Sequence, residues 1–205
     1  MNIKDITVGI VTFRSEKVIF KCLKSLKNIK KIIILDNSND LILKEKINKI
    51  YPHINFILSK KNNGYGSGNN KIFRLAKTSH VLVLNPDTIL SKNCINELIH
   101  QANLIKNKFA ILAPSEKNII KKEIMEVDHV KGFSMLVNLS KIKKIKMFDE
   151  NFFLYLEEID LCKRLKLASE KIYICGKAKI THLSAKSSNI GFEFEKCRNW
   201  HWMWS

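Results

Sequence analysis

The chain has 205 residues, a formal net charge of +17, 45% hydrophobic and 27% charged residues, a balance suited to one globular domain with a sizeable core. No apolar run reaches the ~18–20 residues of a membrane-spanning helix and the first residues carry no signal-peptide pattern, so a cytoplasmic location is expected. Only four of the 36 basic residues are arginines, and the lysines are spread along the whole chain. With bidentate phosphate-binding groups so scarce, the charge reads as compositional; weak attraction to an anionic membrane or polyanion stays open, and nucleic acid is disfavoured.

In chain order, residues 6–13 are β-branched and apolar and read as a buried strand. Residues 16–26 place Val18, Ile19, Cys22, Leu23 and Leu26 at helical spacing. A second buried strand at 31–35 stops at a turn-forming run beginning with Asp36. A helix over 41–50, a short strand at 55–58 and a polar, Gly-rich loop at 60–70 follow, with a helix starting near that loop and running to Lys77. A third buried strand at 81–84 ends at Asn85-Pro86-Asp87. This alternation predicts a parallel-type sheet with helices on both faces, whose ligands sit at the carboxyl ends of the strands. The second half is less regular: a helix at 91–105, strands at 109–113 and 132–137, a basic helix at 140–146, an aromatic loop at 152–155, an amphipathic helix at 157–167, and two short strands at 172–175 and 179–182. Repeats, linkers and low-complexity tracts are absent. The five cysteines, Cys22, Cys94, Cys162, Cys175 and Cys197, lack metal-knuckle spacing and read as reduced thiols.

Four constellations carry chemistry, each with a plainer alternative. The run from Lys61 to Asn70 holds Gly64, Gly66 and Gly68; it is a ligand-approaching, anion-tolerant loop or a solvent loop, and it matches neither the dinucleotide fingerprint nor a P-loop. Asp87 closes a buried strand, where a carboxylate holds Mg²⁺ or Mn²⁺ against a diphosphate or simply makes a turn. Glu157, Glu158 and Asp160 crowd the start of a helix, as dipole-favoured caps or as a source of a general base with a raised pKa. His182 is a structural histidine or completes a metal site with an aspartate.

Taken in order, these motifs resemble the family 2 glycosyltransferases of GT-A-type fold, in particular the rhamnosyltransferase-like branch. The resemblance runs from residues 8–13 through 33–38, 63–70, 83–87, 132–137 and 148–164 to Thr181-His182. It implies an α/β fold, a mostly parallel mixed central sheet flanked by helices, in a single catalytic domain over 1–205. Residues 1–115 would be the nucleotide-binding half and 116–190 the acceptor and catalytic half. It implies inverting transfer of a sugar from a dTDP- or UDP-sugar to a glycan or lipid-linked acceptor, in cell-surface polysaccharide synthesis. Thr12, Phe13 and Asp36 would line the nucleobase pocket, and Asn63, Gly64, Gly68, Asn69 and Asn85 would serve the nucleotide. Asp87 and His182 would hold a divalent metal, Mg²⁺ or Mn²⁺. Glu158 matches the catalytic base, usually Asp in the family, with Glu157 and Asp160 as alternatives. Residues 191–205 carry three tryptophans in their last six positions and read as a truncated C-terminal helix that packs on the domain, meets a membrane interface or marks a shortened product. The competing expectation is a truncated or degenerate nucleotide-sugar-binding module without independent activity.

Overall fold

The computed structural model describes residues 1–116 and 122–183. A 3₁₀ turn (Ile3–Asp5), closed by a capping box with Asn2, leads into β1 (Ile6–Thr12). The next elements are α1 (Glu16–Ser25), β2 (Ile32–Asp36), α2 (Leu41–Ile50), β3 (Asn55–Leu58), α3 (Gly64–Leu75) and β4 (His80–Leu84). They are followed by β5 (Thr88–Leu90), α4 (Cys94–Leu104), β6 (Ile111–Glu116), β7 (Ile124–Glu126), β8 (Ser134–Asn138), α5 (Leu139–Lys144), α6 (Glu157–Leu167) and β9 (Ile172–His182).

The strands form one mixed sheet in the order β3-β2-β1-β4-β8-β6-β9-β5, with β7 alongside β9. β3, β2, β1 and β4 are mutually parallel; β8 runs antiparallel to β4 and to β6, and β9 runs parallel to β6. β9 therefore points the same way as β1 and β4. The carboxyl ends of β1, β2, β4 and β9 and the start of β8 share one edge of the sheet.

Period-two alternation splits the core into two faces. Val8, Ile10, Ile32, Ile34, Leu82, Leu84 and Leu136 pack with Ile19, Leu23, Ile47 and Leu98, so α1, α2 and α4 cover one face. Val11, Ile33, Leu35, Val81, Val83, Met135 and Val137 pack with Ile72, Phe73, Ile142, Leu161 and Leu165, so α3, α5 and α6 cover the other. Burial on both faces explains why these strands are continuously apolar. Among the described residues, no helix is long and apolar enough to cross a membrane.

The fold corrects three local expectations. The Gly-rich stretch is not a loop: α3 begins at Gly64 within it, because its glycines let a helix lie close against its neighbours. The two short strands at the end are one strand, β9, continuous through an irregularity where its register with β6 shifts between Pro114 and Ser115. The three-residue strands β5 and β7 are too short for a periodic signal and went unpredicted. The expected helix at 191–205 lies outside the described residues.

Candidate active site

At the carboxyl edge, β2 ends in Asp36, which is fully buried. Its Oδ1 accepts from Thr12 Oγ1 at 2.8 Å and Ser38 Oγ at 2.7 Å, and its Oδ2 accepts from the Asp40 amide at 2.8 Å. Three donors fill three of the roughly four acceptor positions of a carboxylate, so Asp36 knits the ends of β1 and β2 together. Phe13 lies at the end of β1, with the Arg14 guanidinium 5.2 Å from its ring centroid.

Beside this corner, the three glycines of α3 approach protein. A Cβ on Gly68 would stand 2.9 Å from both Val11 methyls, and one on Gly66 would stand 3.3 Å from Phe148 Cβ. Gly64 has φ +84°, and its Cβ would fall 2.0 Å from the Phe153 carbonyl oxygen, so both its conformation and its contact require glycine. Two first-turn amides are occupied: Gly64 N donates to Asn62 Oδ1 at 3.0 Å, and Tyr65 N to the Phe153 carbonyl at 3.0 Å. Asn63 is the exposed N-cap residue of α3. Asn69 is fully buried and donates to the Tyr65 carbonyl at 3.1 Å. Asn70 binds the Phe148 backbone through both ends of its amide and also donates to Glu150. The glycine-rich turn is therefore locked to residues 148–153, which lead into α6.

The turn after β4 brings Asn85 and Asp87 to the same edge. The Asn85 amide donates to the Phe133 carbonyl at 2.8 Å, extending the β4–β8 ladder by one rung. Asp87 is buried, and its Oδ1 lies 3.2 Å from His182 Nε2. The cause is topological: β5 pairs antiparallel with the end of β9, Thr88 opposite His182, and the Leu183 amide donates to the Asp87 carbonyl at 3.0 Å. The His182 ring stacks on Phe133, with centroids 4.4 Å apart. Behind this pair, burial and the Asp87 charge push the Cys22 thiol up to about 12, which makes it an inert packing group.

The three carboxylates of the first turn of α6 diverge. Glu157 is buried, packs near Gly66, and its Oε2 has no hydrogen-bond partner among the described residues. Burial, and then the charge of Glu158, push it up to about 8. Glu158 is half-buried against Gly132. Burial raises its pKa, partly offset by backbone amides, that of Gly132 included, and by His129. Asp160 is engaged with Arg164 through Nε at 2.9 Å and Nη2 at 2.6 Å, while Arg164 also donates to the carbonyls of Ile145 and Met147 behind α5. Tyr155 and Leu156, just ahead of α6, have φ of 70° and 72°. Such left-handed backbone in non-glycine residues costs about 1–2 kcal/mol each and clusters at functional sites.

The family model for glycosyl transferase family 2 matches residues 7–175. The chain belongs to this family. The glycosyltransferase is 28% identical over 207 residues to the low-salt glycan biosynthesis hexosyltransferase Agl10 of Haloferax volcanii, covering 87% of this chain and 67% of that protein. It is 28% identical over 211 residues to the rhamnosyltransferase WbbL of Escherichia coli K12, covering 83% and 78%. Among solved structures, GalNAc-T7 with UDP, GalNAc and Mn²⁺ superposes with a TM-score of 0.72 at 11% identity, over 86% of this chain and 43% of that one. S. aureus TarS 1–349 in complex with UDP-GlcNAc gives 0.66 at 18% identity, over 90% and 62%. These likenesses show the fold, of GT-A type; the chain spans less than two thirds of either solved chain.

In the glycosyltransferase, the sheet edge gathers Thr12, Phe13, Asp36, Asn85, Asp87 and His182, and α6 adds Glu157 and Glu158. Asn63, Gly64, Gly68 and Asn69 lie on the adjoining helix α3. Asp160 is turned toward Arg164. Sequence reasoning passed over Tyr65, Gly132 and Phe133, although all three stand inside its motifs. An aromatic between two glycines, and a Gly-Phe pair at a strand start, were the available signals.

Proposed function

We propose that this glycosyltransferase moves a sugar, with inversion, from a nucleotide-diphosphate donor to an acceptor hydroxyl, with Glu158 as general base. The observation that supports this most is the placement around the Gly132–Phe133 dipeptide: Phe133 stacks on the metal-binding candidate His182, while Gly132 packs against Glu158. A base and a diphosphate corner on two sides of one rigid segment suit in-line transfer.

The Asp87–His182 pair offers a carboxylate oxygen and an imidazole nitrogen 3.2 Å apart. This donor set fits a divalent cation, and the imidazole suits Mn²⁺ better than Mg²⁺. Among the described residues no group of three or more His, Cys, Asp or Glu side chains converges, so diphosphate oxygens and water would complete the coordination. When bound, such an ion neutralises charge on the departing diphosphate. Thr12, Phe13, Asp36 and Asn85 would border the nucleobase and ribose, with Asn63, Gly64, Gly68 and Asn69 supporting that wall. Glu157 is buried and pushed up to about 8, whereas Glu158 is half-buried and open to an acceptor, and its own raised pKa favours proton acceptance. The acceptor proton passes to the Glu158 carboxylate as the acceptor oxygen bonds to the anomeric carbon and the carbon–diphosphate bond breaks. Asp160 serves by holding Arg164 and, through it, the turn behind α5.

A glycan-biosynthesis hexosyltransferase and a rhamnosyltransferase among the relatives, and UDP or UDP-GlcNAc in the solved neighbours, support a nucleotide-diphosphate hexose donor; the donor we propose is a UDP- or dTDP-sugar and the acceptor a glycan or lipid-linked hydroxyl in cell-surface polysaccharide synthesis. That role suits a single catalytic domain at the cytoplasmic face of a membrane, where its positive charge would favour peripheral contact. The test is transfer and donor hydrolysis over a panel of UDP- and dTDP-sugars with Mn²⁺, for the full chain and for Glu158→Gln. Turnover lost in Glu158→Gln with nucleotide binding kept is the expected result; undiminished turnover removes Glu158 as base, and donor binding without any turnover in the unmodified chain favours a non-catalytic binding module.

A further inference from the structure

Gly132 is held from two sides. Its carbonyl accepts a 2.5 Å hydrogen bond from the Tyr65 hydroxyl. A Cβ at Gly132 would stand 3.4 Å from Glu158 Cδ and 3.5 Å from its Cβ and Cγ, so the backbone there forms the surface against which Glu158 rests. The next residue carries the contact onward: the Phe133 carbonyl accepts from the Asn85 amide at 2.8 Å, and its ring stacks on His182. Tyr65 is itself fixed, its amide donating to the Phe153 carbonyl at 3.0 Å and its ring edge-on to Phe148 at 6.1 Å. Burial, then the charges of Glu157 and Glu158, raise the pKa of its hydroxyl well above the ordinary value, so the hydroxyl remains a donor.

We propose that Tyr65 is a positioning residue: through its hydrogen bond to the Gly132 carbonyl it fixes the segment that orients Glu158 toward the acceptor and Phe133 against His182. This rests on the assignment of Glu158 as base. The hydroxyl acts through Gly132. Because the amide of the same glycine helps hold the Glu158 carboxyl down, releasing the carbonyl loosens that amide as well.

The test is Tyr65→Phe, which keeps the ring and its packing and removes only the hydroxyl. Its kcat is expected to fall about tenfold with the donor KM changed by about twofold or less, the signature of a mispositioned base with intact binding. The carboxyl of Glu158, followed by ¹³C-glutamate NMR and assigned with Glu158→Gln, is expected to titrate higher, because a loosened Gly132 amide favours its charged form less. Wild-type kcat and wild-type titration in Tyr65→Phe overturn the proposal, as does a rise in donor KM that accounts for the whole loss. A Cβ at Gly132 would already be in contact with Glu158 at 3.4–3.5 Å, so the γ-methyls of Gly132→Val must push that side chain aside, and kcat is expected to fall likewise. Should Tyr65→Phe not fold, unchanged kcat in Gly132→Val overturns the proposal. If Glu158→Gln keeps full turnover, the base assignment fails, and the titration still decides whether Tyr65 positions that carboxyl. If Glu158→Gln is inactive while Tyr65→Phe is normal, only the role of Tyr65 fails.

Discussion

Gly64→Ala tests the lock between the glycine-rich turn and the segment ahead of α6. The added Cβ would lie 2.0 Å from the Phe153 carbonyl oxygen and 2.8 Å from its carbon. Carbon–oxygen contacts close no further than about 3.3 Å, so the two backbones must part by about 1.3 Å. Neither atom belongs to a side chain that can swing away, and the same carbonyl accepts the Tyr65 amide. The cost combines about 1–2 kcal/mol for alanine at φ +84°, about 1 kcal/mol for the weakened hydrogen bond, and about 1–3 kcal/mol of overpacking strain. We expect a loss on the order of 3–6 kcal/mol in urea denaturation followed by circular dichroism, together with reduced turnover, because the displaced segment leads into Glu157 and Glu158. Gly66→Ala is the control: its Cβ would stand 3.3 Å from Phe148 Cβ at an ordinary φ, and the gain in helix propensity of up to about 1 kcal/mol offsets the tight contact. A Gly64→Ala protein within about 1 kcal/mol of wild type would refute the claimed lock.

Two further outcomes follow from the carboxylates of α6. Glu157 is raised from 4.5 to about 8 in the folded chain, so the unfolded chain loses its proton first as pH rises. The resulting stability is full below about pH 4.5, declines through the interval and is gone above about pH 8, on the order of 3–5 kcal/mol in all. Glu157→Gln should match wild type in denaturation midpoint near pH 4.5 and exceed it at pH 8; parallel stability curves would contradict the buried, protonated state. Asp160→Asn removes the carboxylate charge that faces Arg164 and loosens its hold on the Ile145 and Met147 carbonyls, and should cost about 1–2 kcal/mol. An unchanged melting temperature would leave Asp160 without its structural role.

Much of the fold was legible because its strands are buried on both faces. Residues 6–13, 32–35 and 81–84 are dominated by β-branched and aliphatic side chains, as strands covered on both faces are. The helices at 41–50 and 157–167 matched to the residue: Asp40 caps the first by accepting the Leu43 amide, and the helical spacing of Leu161 and Leu165 toward the core marks the second. The glycine-rich stretch misled because glycine is a poor helix former; its glycines are present for close packing against Val11, Phe148 and Phe153, contacts distant in sequence. The proximity of Asp87 and His182, 95 positions apart, depends on β5, whose three residues carry no pattern, and on the continuity of β9 through its irregularity. Asp160 looked equivalent to its neighbours in sequence; the position of Arg164 one helical turn later turns it away from the glutamates. Tyr65 was hidden because its hydroxyl meets a backbone carbonyl 67 residues away, and a carbonyl has no sequence signature.

The central claim is that Asp87 and His182 form the corner that holds a divalent cation against a nucleotide diphosphate. Calorimetric titration of UDP and dTDP into the full chain, with Mn²⁺ and with EDTA, tests it most directly when repeated on Asp87→Ala. The account predicts that Mn²⁺ tightens binding of the preferred diphosphate by about tenfold or more in wild type, about 1.4 kcal/mol. It predicts that Asp87→Ala loses this increment while keeping the metal-free affinity. An undiminished Mn²⁺ increment in a folded Asp87→Ala protein, or none in wild type, would contradict it.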